Sequence, residues 1–288
     1  MSEFRMKEAS REQMRRAARL HSRSQRQRWK QTLVEGPQSV RELLVHAPQL
    51  VRDLYVTERA LETHSDIAKL AAQTGVWTHL LTDEELSQLS TDAQGLLAVI
   101  DEPEKASTSA ALANARLVIA AAHISDPGNL GTIIRVADAA GADAVLVGKG
   151  SVELYSPKTI RSTAGSLFHL PTVTGLTFEE ICTHGREAGL HVLGADAAGQ
   201  WSLSNLVGEL TPLETEPSDT VTHTPPKLSE PTMWVLGHEA HGFEGFDTSL
   251  LDGTVSIPIF GKAESLNVSM AATILTYACA LATMNTTD

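Results

Sequence analysis

Cysteine is scarce in this chain: Cys182 and Cys279 are the two among 288 residues, and neither belongs to a CxxC pair. That excludes a disulfide framework and points to a reducing, cytoplasmic compartment. Long apolar runs are also missing. The longest, Val268 to Met284, is interrupted by Ser269, Thr273, Thr276 and Thr283. It falls short of the roughly 20 residues a membrane span needs, so a buried helix is expected and no membrane partner. The N-terminus is rich in Arg and Gln where a signal peptide would be apolar. No GxGxxG follows a strand and no GxxxxGK[ST] occurs. Dinucleotide binding, the common Rossmann methyltransferase glycine loop and NTP hydrolysis are therefore unsupported.

Positive charge is present but unevenly spread. The net charge is −12, yet residues 1–30 hold ten of the 23 Lys and Arg (Arg5, Lys7, Arg11, Arg15, Arg16, Arg19, Arg23, Arg26, Arg28, Lys30) against Glu3, Glu8 and Glu12. That segment is +7; the remaining 13 bases face 32 acids, a balance of −19. A basic arm on an acidic body is an electrostatic footprint for phosphate backbones, or else a solvated tail.

The chain reads as four parts: a charged arm over 1–24, a compact unit over 25–100, a polar linker over 101–113 and an α/β unit over 114–288. In the first unit Val40–Leu44 and Leu61–Ala72 are expected as helices, with Asp53–Thr57, Val76–Leu80 and Leu96–Ile100 extended. From Leu117 onward short apolar strands (Leu117–Ala121, Ala144–Val147, His191–Gly194, Met233–Leu236, Val255–Ile259) alternate with helical segments, the pattern of a parallel sheet. Residues 210–231, with Pro212, Pro217, Pro225, Pro226 and Pro231, interrupt that rhythm as a surface insertion.

Three strand-to-helix junctions in the second half could carry chemistry. In Asp126-Pro-Gly-Asn129-Leu-Gly-Thr-Ile-Ile-Arg135, Asn129 is expected to cap a helix beginning near Leu130, with Ile133, Val136, Ala137 and Ala140 on its packed face. Arg135 then points away from that face, as a solvated side chain or as a grip on a phosphate. In Trp234-Val-Leu-Gly237-His-Glu239-Ala-His-Gly242, Gly237 would let a backbone approach a ligand and Glu239 could accept its hydrogen bonds. His238 and His241 have no third ligand nearby in sequence, so no metal is expected there. In Ile257-Pro258 and Ser265-Leu-Asn267-Val-Ser269, either Ser265 or Asn267 can cap the apolar last helix.

Taken in order, Asn129-x-Gly131-x-x-x-Arg135, Leu236-Gly237-x-Glu239-x-x-Gly242 and Ile257-Pro258 with Ser265-Leu-Asn-Val-Ser269 resemble the three motifs of the SpoU (TrmH-like) RNA 2′-O-ribose methyltransferases of the SPOUT superfamily. The segment Ser156–Pro171 also looks like that family, and the resemblance spans roughly residues 114–284. Glu35-Gly36 and its surroundings, up to about residue 100, look like the L30e-like RNA-binding domain that many members carry in front.

The resemblance implies a deep trefoil knot at the C-terminal end of the parallel sheet and a homodimer through the last helix. It implies S-adenosylmethionine bound by backbone around Gly237, Ile257 and Leu266, without a metal. It makes Arg135 the group that orients and deprotonates the ribose hydroxyl with an RNA phosphate, while Asn129, Glu239, Ser265 and Asn267 hold Arg135, the ribose and the loops in place. His238 and His241 stand where the family more often shows Asn, Ala or Arg, and the 210–231 insertion is unusually long. Large-subunit ribosomal RNA is the expected substrate. Transfer RNA, or a non-catalytic RNA-binding role in ribosome assembly, are the alternatives.

Overall fold

A computed structural model describes residues 6–208, 224–239 and 241–284, and the chain divides into two compact units. The first contains residues up to Glu104 together with Glu153–His169; the second contains Lys105–Val152 and the chain from Leu170 onward.

In the first unit, strands β1 (Gln31–Glu35), β2 (Val51–Val56), β3 (Thr78–Leu80) and β4 (Leu96–Asp101) form a sheet in the order β1-β4-β2-β3. The β1–β4 and β2–β4 pairs are antiparallel and β2–β3 is parallel. The basic residues read as an arm form two helices, Arg11–Arg19 and Arg23–Trp29. Ser10 and Gln13 make a capping box on the first, and its Ala17 and the following Leu20 are buried in this unit's core with Leu33, Tyr55 and Leu97. The helix expected over Leu61–Ala72 is two, Glu58–Thr63 and Ser65–Thr74, broken at His64.

Residues 153–169, read from sequence as part of the second half, belong to the first unit, and specific pairs explain why. Arg26 donates from Nε and Nη2 to Glu153 at 3.0 and 2.7 Å, and Thr32 donates to the Tyr155 carbonyl at 2.7 Å. Arg161 meets the buried Glu35 carboxylate at 2.5 Å. An unpaired carboxylate there would be costly, so Arg161 ties its helix, Pro157–Ser162, to β1.

The second unit is a seven-stranded sheet of β5 (Leu117–Ala121), β6 (Ala144–Gly148), β7 (Thr172–Leu176), β8 (His191–Ala195), β9 (Trp201–Ser202), β10 (Thr232–Leu236) and β11 (Gly253–Ser256). Every pairing is parallel, in the order β7-β6-β5-β10-β8-β11-β9. β5, β6 and β10 are buried along their whole length, as strands covered on both faces must be. The last strand stops at Ser256 rather than running to Ile259, because Pro258 has no N–H to give a ladder. The short helix Thr108–Ala111, inside the expected linker, puts Ala111 and Leu112 into this unit's core.

The helix Val268–Met284 packs Ala272, Leu275, Thr276, Cys279 and Ala282 inward. Trp234, at the centre of β10, donates its indole N–H to Cys279 Sγ at 3.2 Å, and burial pushes that thiol up to about 11 despite the donated bond. No described helix is long and apolar enough to cross a membrane. Most of the Pro-rich insertion lies outside the described residues. From 224 to 231 the chain turns without regular structure and buries Leu228 before entering β10.

Candidate active site

The strand order sets the place of the site. From β5 the chain moves outward to β6 and β7, then crosses to β8 on the far side of β10. The β5–β10 pair is thus the switch point where adjacent strands send their chains in opposite directions, and a crevice opens at their C-terminal ends. The segment after β5 carries Asn129, the segment after β10 carries Glu239, and the segment after β11 carries Ser265–Ser269.

The first helix starts earlier than the sequence indicates. It runs Pro127–Ala139, capped by Asp126, whose side chain accepts the Asn129 N–H at 2.9 Å, with Pro127 in the first position where no N–H is needed. Asn129 is therefore not the cap, and its amide is released for other partners. It donates from Nδ2 to Glu239 Oε1 at 2.8 Å and accepts from Asn267 Nδ2 at 3.1 Å. Asn267, not Ser265, caps the last helix: its Oδ1 accepts from Ser269 N at 2.8 Å and Ser269 Oγ at 2.6 Å.

Glu239 also takes the N–H of Ser125 at 3.1 Å and of Asp126 at 3.3 Å. It thus serves the protein's own loop. Burial pushes its carboxyl up, but the bonds from Asn129, Ser125 and Asp126 outweigh this and hold it below the ordinary carboxylate value. Gly237 has a similarly internal reason. A Cβ there would collide with the Gly242 carbonyl, which accepts the His238 N–H at 2.6 Å while Gly242 N–H returns to His238 O at 2.8 Å. Gly242 itself sits at φ +56°.

Around these loops lies a pocket of about 280 Å³. Gly237, Ile257 and Leu266 line it, and so do Ser265 and Glu239. Ala195, Asp196 and Ala197, at the end of β8, form another wall that the sequence reading missed. The signal was there in the strand expected at His191–Gly194, since ligands of parallel sheets gather at such strand ends. Arg135 is exposed on the helix after β5 and is not hydrogen-bonded to Asn129, Glu239, Ser265 or Asn267.

The histidines also read differently in space. His238 and His241 have centroids 4.9 Å apart, and His123, in the segment after β5, lies 5.0 Å from His238. The fold thus sets a third imidazole beside them, without forming a metal-ligand group among the described residues. The three line a second opening, of about 340 Å³, with Glu244 and Phe246.

Residues 116–277 match the SpoU rRNA Methylase family, and residues 33–106 match the RNA 2′-O ribose methyltransferase substrate-binding family. The 23S rRNA (guanosine(2553)-2′-O)-methyltransferase RlmP of Bacillus subtilis is 30% identical over 261 residues, covering 90% of this chain and 92% of that protein. A 23S rRNA (uridine(2479)-2′-O)-methyltransferase of Streptomyces viridochromogenes is 34% identical over 158 residues, 53% of this chain and 48% of that one. The crystal structure of the SpoU methyltransferase AviRb from the same organism, in complex with the cofactor AdoMet, superposes with a TM-score of 0.71 at 25% identity, covering 94% of this chain and 98% of AviRb. The chain belongs to the SpoU rRNA methylase family of RNA 2′-O-ribose methyltransferases.

Proposed function

We propose that this enzyme methylates a ribose 2′-hydroxyl of large-subunit ribosomal RNA, with S-adenosylmethionine in the pocket beneath the Gly237 loop. The observation that carries the reading is the unbroken hydrogen-bond chain Ser269–Asn267–Asn129–Glu239, which ties all three motif segments around that pocket.

The residues present suit the cofactor. Leu236, Ile257, Ile259 and Leu266 offer apolar walls for a flat base, and Asp196 and the loop backbones offer polar groups for a ribose and an amino-acid end. When bound, S-adenosylmethionine supplies a sulfonium methyl that the ribose oxygen attacks, leaving the thioether product. Everything else is work for this chain. Arg135, exposed and with five fixed donors, grips an RNA phosphate and orients the hydroxyl, and the guanidinium–phosphate pair takes the proton that the hydroxyl loses. Asn129, Asn267 and Glu239 act as positioning residues, and Ser265 lines the pocket.

Ribosomal RNA is favoured because RlmP, named for a 23S target, matches across both units. The exposed Arg11, Arg15, Arg16, Arg19, Arg23 and Arg28 give the first unit a phosphate-binding surface, while Arg26 is committed to Glu153.

The same reading includes a trefoil knot around the pocket, a cytoplasmic location and a homodimer. For the dimer, Met270, Ile274, Tyr277, Leu281 and Met284 recur every three or four residues on the outer face of the last helix, and all are exposed. Calorimetry tests the proposal at its base. Micromolar binding of S-adenosylmethionine supports it, and no binding at millimolar cofactor contradicts it.

A further inference from the structure

A group of side chains able to ligate a metal lies in the first unit, outside the three motifs, with His169 at the end of the family-like segment Ser156–Pro171. Glu42 and His46 are four residues apart on the helix Pro37–His46, so their side chains sit one turn apart on the same face. His169 directly follows the short turn Ser166–Phe168, in the segment that joins this unit from the middle of the chain. Glu42 Oε2 is 3.2 Å from His169 Nε2 and 3.6 Å from His46 Nε2, and the three ligand atoms lie within 4.8 Å of one another.

Those separations have a chemical meaning. Zinc bound tetrahedrally at its usual 2.0–2.2 Å requires ligand-to-ligand edges of roughly 3.3–3.6 Å. Both edges from Glu42 match that range to within about a tenth of an ångström. The two imidazoles, with centroids 4.4 Å apart and planes tilted by 56°, converge on the same carboxylate. Room for the Glu42 stem is made by Gly165, at φ +102°, where any Cβ would strike Glu42 Cγ. Two imidazole nitrogens and one carboxylate oxygen favour zinc over magnesium or calcium. The side chains of His46 and His169 remain 44% and 25% exposed, so solvent reaches the group and water can complete a tetrahedral set.

We infer that Glu42, His46 and His169 form a zinc-class metal site that clips residues 163–169 onto the helix Pro37–His46. The site stands apart from the methyl-transfer reading and does not depend on it. Its competitor is a carboxylate shared by two imidazoles through hydrogen bonds, which needs no ion.

The test uses the full-length protein, dialysed against EDTA and titrated with Co²⁺ while its visible absorption is followed. The site predicts intense tetrahedral bands that saturate at one equivalent and vanish when Zn²⁺ is added. Glu42→Gln and His169→Ala should each weaken binding at least tenfold, with circular dichroism confirming that the variants are folded. Should His169→Ala not fold, His46→Ala gives the same readout from the more exposed ligand. His241→Ala should leave the titration unchanged. Weak absorption of hydrated Co²⁺ throughout, equal affinity in the Glu42 or histidine variants, or loss of binding only in His241→Ala would each overturn the assignment.

Discussion

Asn129 donates to Glu239 across 110 residues of sequence, at 2.8 Å, and its other amide atom accepts from Asn267 at 3.1 Å. One side chain therefore joins the segments that follow β5, β10 and β11. Replacing it by alanine removes a bond to a carboxylate and a neutral bond at once, a loss of about 1–3 kcal/mol. Asn129→Ala should show that loss in urea denaturation and bind S-adenosylmethionine at least tenfold more weakly by calorimetry. Unchanged cofactor affinity would separate the network from the pocket.

Arg135 is expected to behave in the opposite way. It is outside the hydrogen-bond chain, so Arg135→Ala should leave stability and cofactor affinity near normal. Methyl transfer to RNA should fall by at least about 10²-fold, the scale of lost acid–base assistance. An unchanged transfer rate with radiolabelled cofactor would remove Arg135 from the chemistry.

Glu239 gives the site a pH signature. Its carboxyl is held below the ordinary value of 4.5 in the folded protein, so its contribution to stability is present above that pH. It is lost as pH falls through the lower folded value. The stability advantage of the wild type over Glu239→Gln, read from denaturation midpoints, should therefore be constant near neutrality and shrink below pH 4.5. An advantage that grew on acidification would contradict the hydrogen-bonding scheme.

The central parallel strands were legible because burial on both faces leaves an unbroken apolar run, as in Leu117-Val-Ile-Ala-Ala121. β1 was not legible, since Gln31, Thr32 and Glu35 look like surface residues. They are buried because Asp101, Tyr155 and Arg161, about 70 to 126 residues away, supply their partners. The helix after β5 began three residues early for a local reason: Asp126 and Pro127 together outcompete Asn129 as the start. The Asn129–Glu239–Asn267 network, the placement of His123 beside His238 and the return of residues 153–169 to the first unit all depend on tertiary pairing, which spacing along the chain does not encode.

The two basic helices supply a salt-dependence prediction. Replacing Arg15, Arg19, Arg23 and Arg28 by Gln removes four exposed charges from the first unit. If each neutralises a phosphate, the slope of log affinity for RNA against log salt should flatten by about 3. Filter binding at several salt concentrations reads this directly, and an unaltered slope would move the RNA surface elsewhere.

The outer face of the last helix tests the dimer. Leu281 is 58% exposed within the apolar stripe. Leu281→Glu would place a charge where a second copy must exclude water, raising the dissociation constant at least about a hundredfold. Sedimentation should show a dimer for the wild type and a monomer for the variant, and a wild type that is monomeric at high concentration would refute this part of the account.

The central claim is methylation of a ribose in large-subunit ribosomal RNA. The most direct measurement maps 2′-O-methyl groups in ribosomal and transfer RNA from cells with the gene, without it, and with the Arg135→Ala allele. The account predicts that one 23S site disappears in both mutant strains while the transfer RNA profile is unchanged. An intact 23S profile, or a loss confined to transfer RNA, would contradict it.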